Sequence, residues 1–157
     1  MAAIDQVPIS FITLKFFAME KVADVLGRKF PQFNTIPPDH FVSDALYQMA
    51  AENVDYLIVL DDERFLGIIC SNDIANKVLL ADKQLKDVKV SDCTNKNLPV
   101  VTLNDSVEYS MELLDRYNAK YLAVYDRFDF KGIVSSSDVM LQTLSKQRPY
   151  FENRSFK

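Results

Sequence analysis

Two short stretches of the chain place a glycine, a small polar residue and an aspartate at the same spacing. They are Gly67-Ile68-Ile69-Cys70-Ser71-Asn72-Asp73 and Gly132-Ile133-Val134-Ser135-Ser136-Ser137-Asp138. Each aspartate lies at the start of a predicted helix, where an ionised carboxylate can accept charge-assisted hydrogen bonds and where free N–H groups can hold an anion. The same residues are also typical of first-turn acids that complement the helix dipole. The spacing alone leaves both interpretations open.

Other residues that commonly do chemistry are sparse. His40 is the only histidine, and no serine or cysteine stands at a recognisable catalytic spacing from it. Cysteines, histidines and carboxylates form no cluster with the spacing of a metal site. With only three glycines, the chain has neither a phosphate loop nor a nucleophile elbow. We therefore expect neither an enzyme nor a metalloprotein.

The two stretches belong to a longer internal repeat. Residues 36–79 match 101–144 at a constant shift of 65 without any insertion, and 12 of these 44 positions are identical. Neither copy could bury its own apolar helix stripes and two-sided strands, so we expect the two to pack against each other. In the second copy, Asp105 or Ser106 is the expected N-cap of the first helix.

The repeat predicts a strand, a helix, two strands and a helix in each copy. In the first copy, apolar residues three and four apart predict a helix over 43–53. Continuous β-branched and aromatic runs predict strands over 56–60 and 65–70, the first of them buried on both faces. Ser71 is then expected to cap a helix that continues to Leu79.

Each copy reads x-x-N-h-x-x-L-x-V-h-D, then a turn, then h-x-G-h-h-x-S-x-D-h, where h is apolar. Residues 53–61 with 67–74, and 118–126 with 132–139, resemble the two signature stretches of the CBS motif. From about Glu20 to Arg148 the chain resembles a bacterial stand-alone tandem CBS (Bateman module) protein. The resemblance implies an α/β (α+β) fold of two β-α-β-β-α motifs that face each other about a pseudo-twofold axis.

The resemblance also divides the chain. Residues 20–82 would form the first motif and 83–148 the second. Residues 1–19 would be an apolar N-terminal arm, helical or extended, that either covers the module or contacts a second copy. Residues 149–157 would be a tail that frays or docks on a partner.

The family resemblance implies an adenosine-containing ligand in clefts between the two motifs. Asp73 and Asp138 would accept hydrogen bonds from its ribose. The phosphate side would consist of Ser71, Lys77, Ser135 and Ser136, and the adenine side of Thr35, Ile36, Tyr56, Val100, Val101 and Tyr121. Cys70 replaces the phosphate-contacting hydroxyl in the first copy, and a thiol is a poor donor, so we expect tighter binding at Asp138.

Cations are few around these stretches. Lys77 is the best available, either as a phosphate contact or as part of a solvated helix face. Tyr56 and Tyr121 are likewise either adenine platforms or plain core residues. The candidate ligands are AMP, ADP, ATP and S-adenosylmethionine. Because cations are few, we expect AMP-like or uncharged adenosyl ligands to be favoured over a triphosphate. No cofactor is required.

Composition limits the function classes and the cellular location that remain to be considered. The chain is 48% apolar and 25% charged with a net charge of −4, which argues against a nucleic-acid or anionic membrane surface. No signal peptide and no apolar segment of membrane-spanning length is recognisable, and Cys70 and Cys93 fit reduced thiols in the cytoplasm.

These observations predict a cytoplasmic homodimer that senses a ligand and passes the signal to an unidentified partner protein. The alternative is a dimerisation or protein-interaction scaffold that has kept the fold without a ligand. An adenylate-using enzyme is a distant third possibility.

Overall fold

The computed structural model describes residues 20–29 and 34–151. Contacts divide them into two units: the first-repeat unit, 34–98, and the second-repeat unit, 20–29 with 99–151. The predicted arm, 1–19, lies outside the described residues, as do residues 152–157 of the predicted tail.

Each unit combines a three-stranded sheet with short helices, as the repeat predicts. In chain order the elements are α1 Val22–Arg28, β1 Thr35–Ile36, α2 Val42–Glu52, β2 Tyr56–Asp61, β3 Arg64–Cys70, α3 Ser71–Ile74 with a π-helical turn Ala75–Leu79, α4 Val90–Cys93, β4 Val100–Thr102, α5 Val107–Arg116, β5 Tyr121–Asp126, β6 Asp129–Ser135 and α6 Ser136–Phe151. The mixed α/β class and the β-α-β-β-α order of both repeats are confirmed.

The two sheets have the same topology and register. Their strand orders are β1-β2-β3 and β4-β5-β6, and in each the first pair is parallel and the second antiparallel. A bulge interrupts each hairpin at the equivalent place, after Val59 in β2 and after Val124 in β5. The repeat is therefore preserved down to a local irregularity of the backbone.

Capping explains some of the identities between the copies. Asn53 and Asn118 have φ of 53° and 46°, the left-handed conformation that asparagine tolerates where a helix ends. Ser106 is confirmed as the N-cap of α5, since its Oγ accepts the Tyr109 N–H at 3.1 Å.

One cap prediction is wrong. The helix after β3 begins at Ser71, and its N-cap is Cys70. After one α-helical turn the segment widens into the π-helical turn Ala75–Leu79. The sequence pattern missed both features, because apolar spacing does not separate a π turn from a continuing α-helix.

The residues just before each repeat complete the other repeat's unit. The backbone N–H of Val22 donates to Asp105 O at 2.9 Å in the second-repeat unit. In the first-repeat unit, the Val90 N–H donates to His40 O at 2.8 Å. We call residues 20–29 and 88–97 the lead-in segments.

Both cores include lead-in residues. The core of the first-repeat unit is built from Ile36, Val42, Ala45, Met49, Leu57, Val59, Ile69, Ile74, Val78, Val88, Val90 and Cys93. That of the second-repeat unit is built from Val22, Val25, Val101, Val107, Leu113, Leu114, Leu122, Val124, Val134 and Val139. Leu57, Ile58 and Val59 are all buried, which confirms that β2 is covered on both faces.

Gly67 allows a close approach between β3 and a lead-in. The Ile68 N–H donates to Asn95 O at 3.1 Å, and the Asn95 N–H donates back to Ile68 O at 2.7 Å. A Cβ on Gly67 would lie 2.2 Å from Asn95 O, and its φ of 154° is a conformation that other residues rarely adopt. The close approach of the Asn95 backbone therefore requires a residue without a side chain at position 67.

We expect Gly67→Ala to lower the free energy of unfolding by about 1–3 kcal/mol, the usual cost of overpacking. Gly27→Ala is the matched control. No atom lies within 4 Å of a Cβ at Gly27, which is inside α1, so this change should be neutral or stabilise the protein by about 0.5–1 kcal/mol. Urea denaturation of the three proteins measures both effects. Equal stability of Gly67→Ala and the parent would contradict the close-approach argument.

Candidate ligand sites

In the first-repeat unit, strand register gathers most of the predicted site residues at one end of the sheet. Tyr56 is the Cα partner of Cys70 across the β2–β3 hairpin, and Thr35 pairs with Ile58 two residues further along β2. Tyr56 and Thr35 are partly exposed, whereas Ile36 is only 1% exposed and belongs to the core. Of the three residues predicted for the adenine side of this unit, Tyr56 and Thr35 thus have exposed surface, and the adenine role of all three stays a prediction.

Asp73 lies at the third position of α3 and contacts the residue that replaces the expected hydroxyl. The Cys70 Sγ donates to Asp73 Oδ2 at 3.0 Å. Burial raises the pKa of the Cys70 thiol, and the hydrogen bond to Asp73 raises it as well. The thiol therefore stays protonated near neutral pH and remains a donor to the carboxylate.

The other predicted phosphate-side residues of this unit lie on the helix surface. Ser71 and Lys77 are both exposed. Lys77 Nζ donates to the backbone carbonyl of Cys93 at 3.3 Å, which ties the π-helical turn to the lead-in segment.

The second-repeat unit presents the same arrangement with different partners. Tyr121 is the Cα partner of Ser135, and Val100 pairs with Ala123. Val101 is 1% exposed and belongs to the core, whereas Val100 is 54% exposed. Ser135 and Tyr121 are partly exposed.

Asp138 is held by backbone and side-chain donors. Its Oδ2 accepts the Ser135 N–H at 2.8 Å, and its own N–H donates to Ser135 Oγ at 3.1 Å. This reciprocal pair is a capping box at the start of α6. Asp138 therefore acts as a first-turn acid of α6, which is one of the two roles that the sequence left open. Its role in ribose binding stays a prediction.

Sequence reasoning missed a cation in this unit. Lys29, the last described residue of its lead-in segment, donates from Nζ to Asp138 Oδ2 at 2.7 Å and to the Ile133 carbonyl at 2.9 Å. Lys29 precedes Asp138 by 109 residues and belongs to no motif. The available signal was the likeness of Lys21-Val22-Ala23-Asp24 to Lys89-Val90-Ser91-Asp92, which marks the two lead-in segments as equivalent.

Comparison with known proteins identifies the family. The family model described as "CBS domain" matches residues 22–80 and again 90–143. The chain belongs to the CBS-domain family as a tandem pair. CBS domains are regulatory modules that generally bind adenosine ligands.

Solved CBS proteins share this fold over about three quarters or more of their length. A CBS-domain crystal structure is 31% identical, with a TM-score of 0.74 over 80% of this chain and 99% of that one. A signal-transduction protein with CBS domains from Burkholderia ambifaria is 24% identical, with a TM-score of 0.70 and coverages of 87% and 98%. A hexameric CBS-CP12 protein from bloom-forming cyanobacteria is 23% identical, with a TM-score of 0.67 and coverages of 82% and 74%. Bacterial stand-alone CBS proteins are thus among the structural relatives.

A curated relative carries the module inside a longer protein. A homoserine O-acetyltransferase from Methanococcus vannielii is 23% identical over 133 residues, which are 83% of this chain but 26% of that protein. The chain therefore spans about a quarter of that relative, and the match is to its CBS part.

Within 20–29 and 34–151, no helix combines the length and apolarity needed to cross a membrane. The same ranges contain no group of three or more histidines, cysteines and carboxylates that could hold a metal ion.

The Cys70–Asp73 contact predicts a pH effect. Alkylation requires the thiolate, so the rate at Cys70 should rise with pH through an inflection above that of an ordinary thiol. Asp73→Ala removes an interaction that raises the pKa of Cys70 and should move the inflection to lower pH, with faster alkylation near neutrality. Mass spectrometry of tryptic peptides separates Cys70 from Cys93. Asp44→Ala, an acid at the same helix position in α2, is the control, and identical profiles for Asp73→Ala and the parent would contradict the contact.

Proposed function

We propose that this chain is a regulatory module that binds an adenosine-containing ligand, with one candidate site in each unit. The supporting observation is the pair of matched arrangements at the ends of β3 and β6, where an aspartate at the third helix position faces the last residue of a strand. In this proposal Asp73 and Asp138 bind the ribose, and the surrounding hydroxyl and lysine groups lie on the phosphate side. AMP, ADP, ATP and S-adenosylmethionine are the candidate ligands.

The Asp138 site is proposed as the tighter of the two. Ser135 keeps the hydroxyl that Cys70 lacks, and hydrogen bonds on both sides of the capping box fix its side chain and that of Asp138. The partner protein that would read the signal is unidentified. We also propose that the module acts in the cytoplasm, where thiols such as those of Cys70 and Cys93 remain reduced.

The alternative function is a ligand-free interaction scaffold of the same fold. Asp138 already has a structural role at the start of α6, so its presence alone does not require a ligand. Ligand binding and a scaffold role therefore differ in one measurable property, the response of stability to adenosine compounds.

A thermal-shift screen with AMP, ADP, ATP, S-adenosylmethionine and NAD tests the proposed function. A ligand present at 100 times its dissociation constant adds about 2.7 kcal/mol to the free energy of unfolding, which is readily detected. Asp138→Ala removes two hydrogen bonds from a charged acceptor, each contributing about 1.5–3 kcal/mol, and should weaken binding at least about tenfold. Asp73→Ala should weaken it less.

Asp44→Ala controls for the loss of a helix-start acid. Asp44 Oδ2 accepts the Phe41 N–H at 3.1 Å, the same capping contact as at Asp138 but outside the proposed sites. It should reduce stability without changing affinity. No shift with any compound would favour the scaffold, and a stronger effect of Asp73→Ala than of Asp138→Ala would reverse the ranking of the two sites.

We further propose that the module is a homodimer. Large apolar side chains are exposed on several helices, among them Leu141 on α6 at 65% and Tyr47 on α2 at 80%. Burial of such side chains against a second copy would remove their apolar surface from water, which favours association. A second copy of the chain is the occupant to which this proposal commits.

Light scattering at tens of micromolar protein should report twice the chain mass of 18.0 kDa. Leu141→Glu should shift the population toward the monomer, because a charge would be buried in the interface. Phe128→Ser is the control, since Phe128 is 97% exposed but lies at the β5–β6 turn and not on a helix. A parent protein that scatters as a monomer at this concentration overturns the dimer proposal.

A further inference from the structure

Lys29 places a positive charge beside the carboxylate of Asp138, the group that the proposed function assigns to ribose binding. Its Nζ lies 2.7 Å from Asp138 Oδ2, and the two side chains are 27% and 22% exposed. A second hydrogen bond, to the Ile133 carbonyl at 2.9 Å, fixes the ammonium group at the end of β6. The ion pair is therefore positioned by two acceptors and is partly shielded from water.

This ion pair occupies the oxygen that a ribose would need. A carboxylate oxygen offers two lone pairs. Those of Asp138 Oδ2 are engaged by Lys29 Nζ and by the Ser135 N–H, whereas Oδ1 takes part in neither contact. A ribose diol that bonds to both oxygens must therefore replace the lysine at Oδ2.

Replacement has different consequences for neutral and anionic ligands. A neutral nucleoside separates the ammonium group from its carboxylate and supplies no anion in return, which is unfavourable for a partly buried charge. A nucleotide brings a phosphate on the same ribose. The flexible four-carbon stem of lysine can carry Nζ from the carboxylate to such a group.

We propose that Lys29 is a specificity-determining residue of the Asp138 site, which disfavours uncharged adenosine compounds and favours those that carry a phosphate. This inference rests on the proposed function. It changes the ligand preference expected from the sequence, where the small supply of cations left uncharged adenosyl compounds as good candidates.

The first-repeat unit is built differently at the equivalent place. There the Ile68 carbonyl accepts the Asn95 backbone N–H at 2.7 Å, and Asp73 Oδ2 accepts from the Cys70 thiol. Selectivity through a displaced ammonium group is therefore confined to the Asp138 site.

Calorimetric titration of the full chain with adenosine and with AMP tests the inference. In Lys29→Met, which keeps the length of the side chain without its charge, adenosine should bind more tightly and AMP more weakly. The ratio of the two dissociation constants should change by about tenfold or more, since hydrogen bonds to charged groups are among the stronger ones. Lys29→Arg keeps the charge and should retain most of the preference for AMP.

Arg127→Gln is the matched control for the loss of one positive charge. Arg127 is exposed at the β5–β6 turn, at the opposite end of β6 from Ser135, and its replacement should leave the ratio unchanged. If Lys29→Met reduces folding stability too far for titration, Lys29→Gln replaces it, because the amide keeps a donor for Ile133 O without a charge.

The outcomes separate the two proposals. If the parent binds AMP but Lys29→Met binds both compounds as the parent does, or loses affinity for both equally, Lys29 has only a structural role and this inference is wrong while the proposed function stands. If the parent binds neither compound, the proposed function fails and the inference fails with it. A loss of discrimination confined to the uncharged Lys29 variants supports both.

Discussion

The backbone hydrogen bonds that join each lead-in segment to the opposite repeat are the constraint on which the structure depends. Val22 and Val90 each donate to a carbonyl just before a helix of the other repeat's unit, and both side chains are buried in that unit's core. A three-stranded sheet with short helices leaves apolar surface uncovered. The lead-in segments supply the missing cover. As a result the second-repeat unit is built from two separate stretches, 20–29 and 99–151, whereas the first-repeat unit is continuous over 34–98.

The lead-in segments also contact each sheet at the end where the candidate site lies. The helix α4 has four residues and α1 has seven, and the residues that follow these two helices contact the last strand differently. After α4, the backbone of Asn95 pairs with Ile68 and requires Gly67 beside it. After α1, the side chain of Lys29 reaches the matching Ile133 carbonyl and continues to Asp138. The equivalent carbonyl is thus bound by a backbone N–H in one unit and by a charged side chain in the other.

Features of the fold that depend on local sequence pattern could be predicted from the sequence. Apolar spacing and the 65-residue repeat predicted the strands and helices of the two repeats, the two-sided burial of β2 and the Ser106 cap, because each of these is determined by residues a few positions apart. They did not predict the lead-in helices α1 and α4. The wrong assignment of the cap at Ser71 has a local cause too, since cysteine is not a common N-cap residue and the pattern favoured the neighbouring serine.

What the sequence did not predict is the partner of each site residue. Lys29 meets Asp138 across 109 residues through the exchanged lead-in, and no rule of spacing connects them. The burial of Ile36 and Val101 is likewise a property of the assembled core, and it reduces the adenine side that the family resemblance implied. The predicted motif boundaries come from the family pattern. The boundaries of the packed units differ from them because the lead-in segments hydrogen-bond to the opposite repeat.

The two candidate sites also differ in how firmly their aspartates are held before any ligand arrives. In the second-repeat unit, Ser135 and Asp138 each satisfy the other's backbone N–H, so both side chains are fixed by the start of α6 itself. In the first-repeat unit, Cys70 is the N-cap but its Sγ serves as a donor to Asp73, and the following helix loses its α geometry after one turn. A carboxylate oriented in advance loses less conformational entropy when it binds a diol. The same capping contact that gives Asp138 a structural role therefore makes it the better ligand group, and the two interpretations that the sequence left open for this residue reinforce each other.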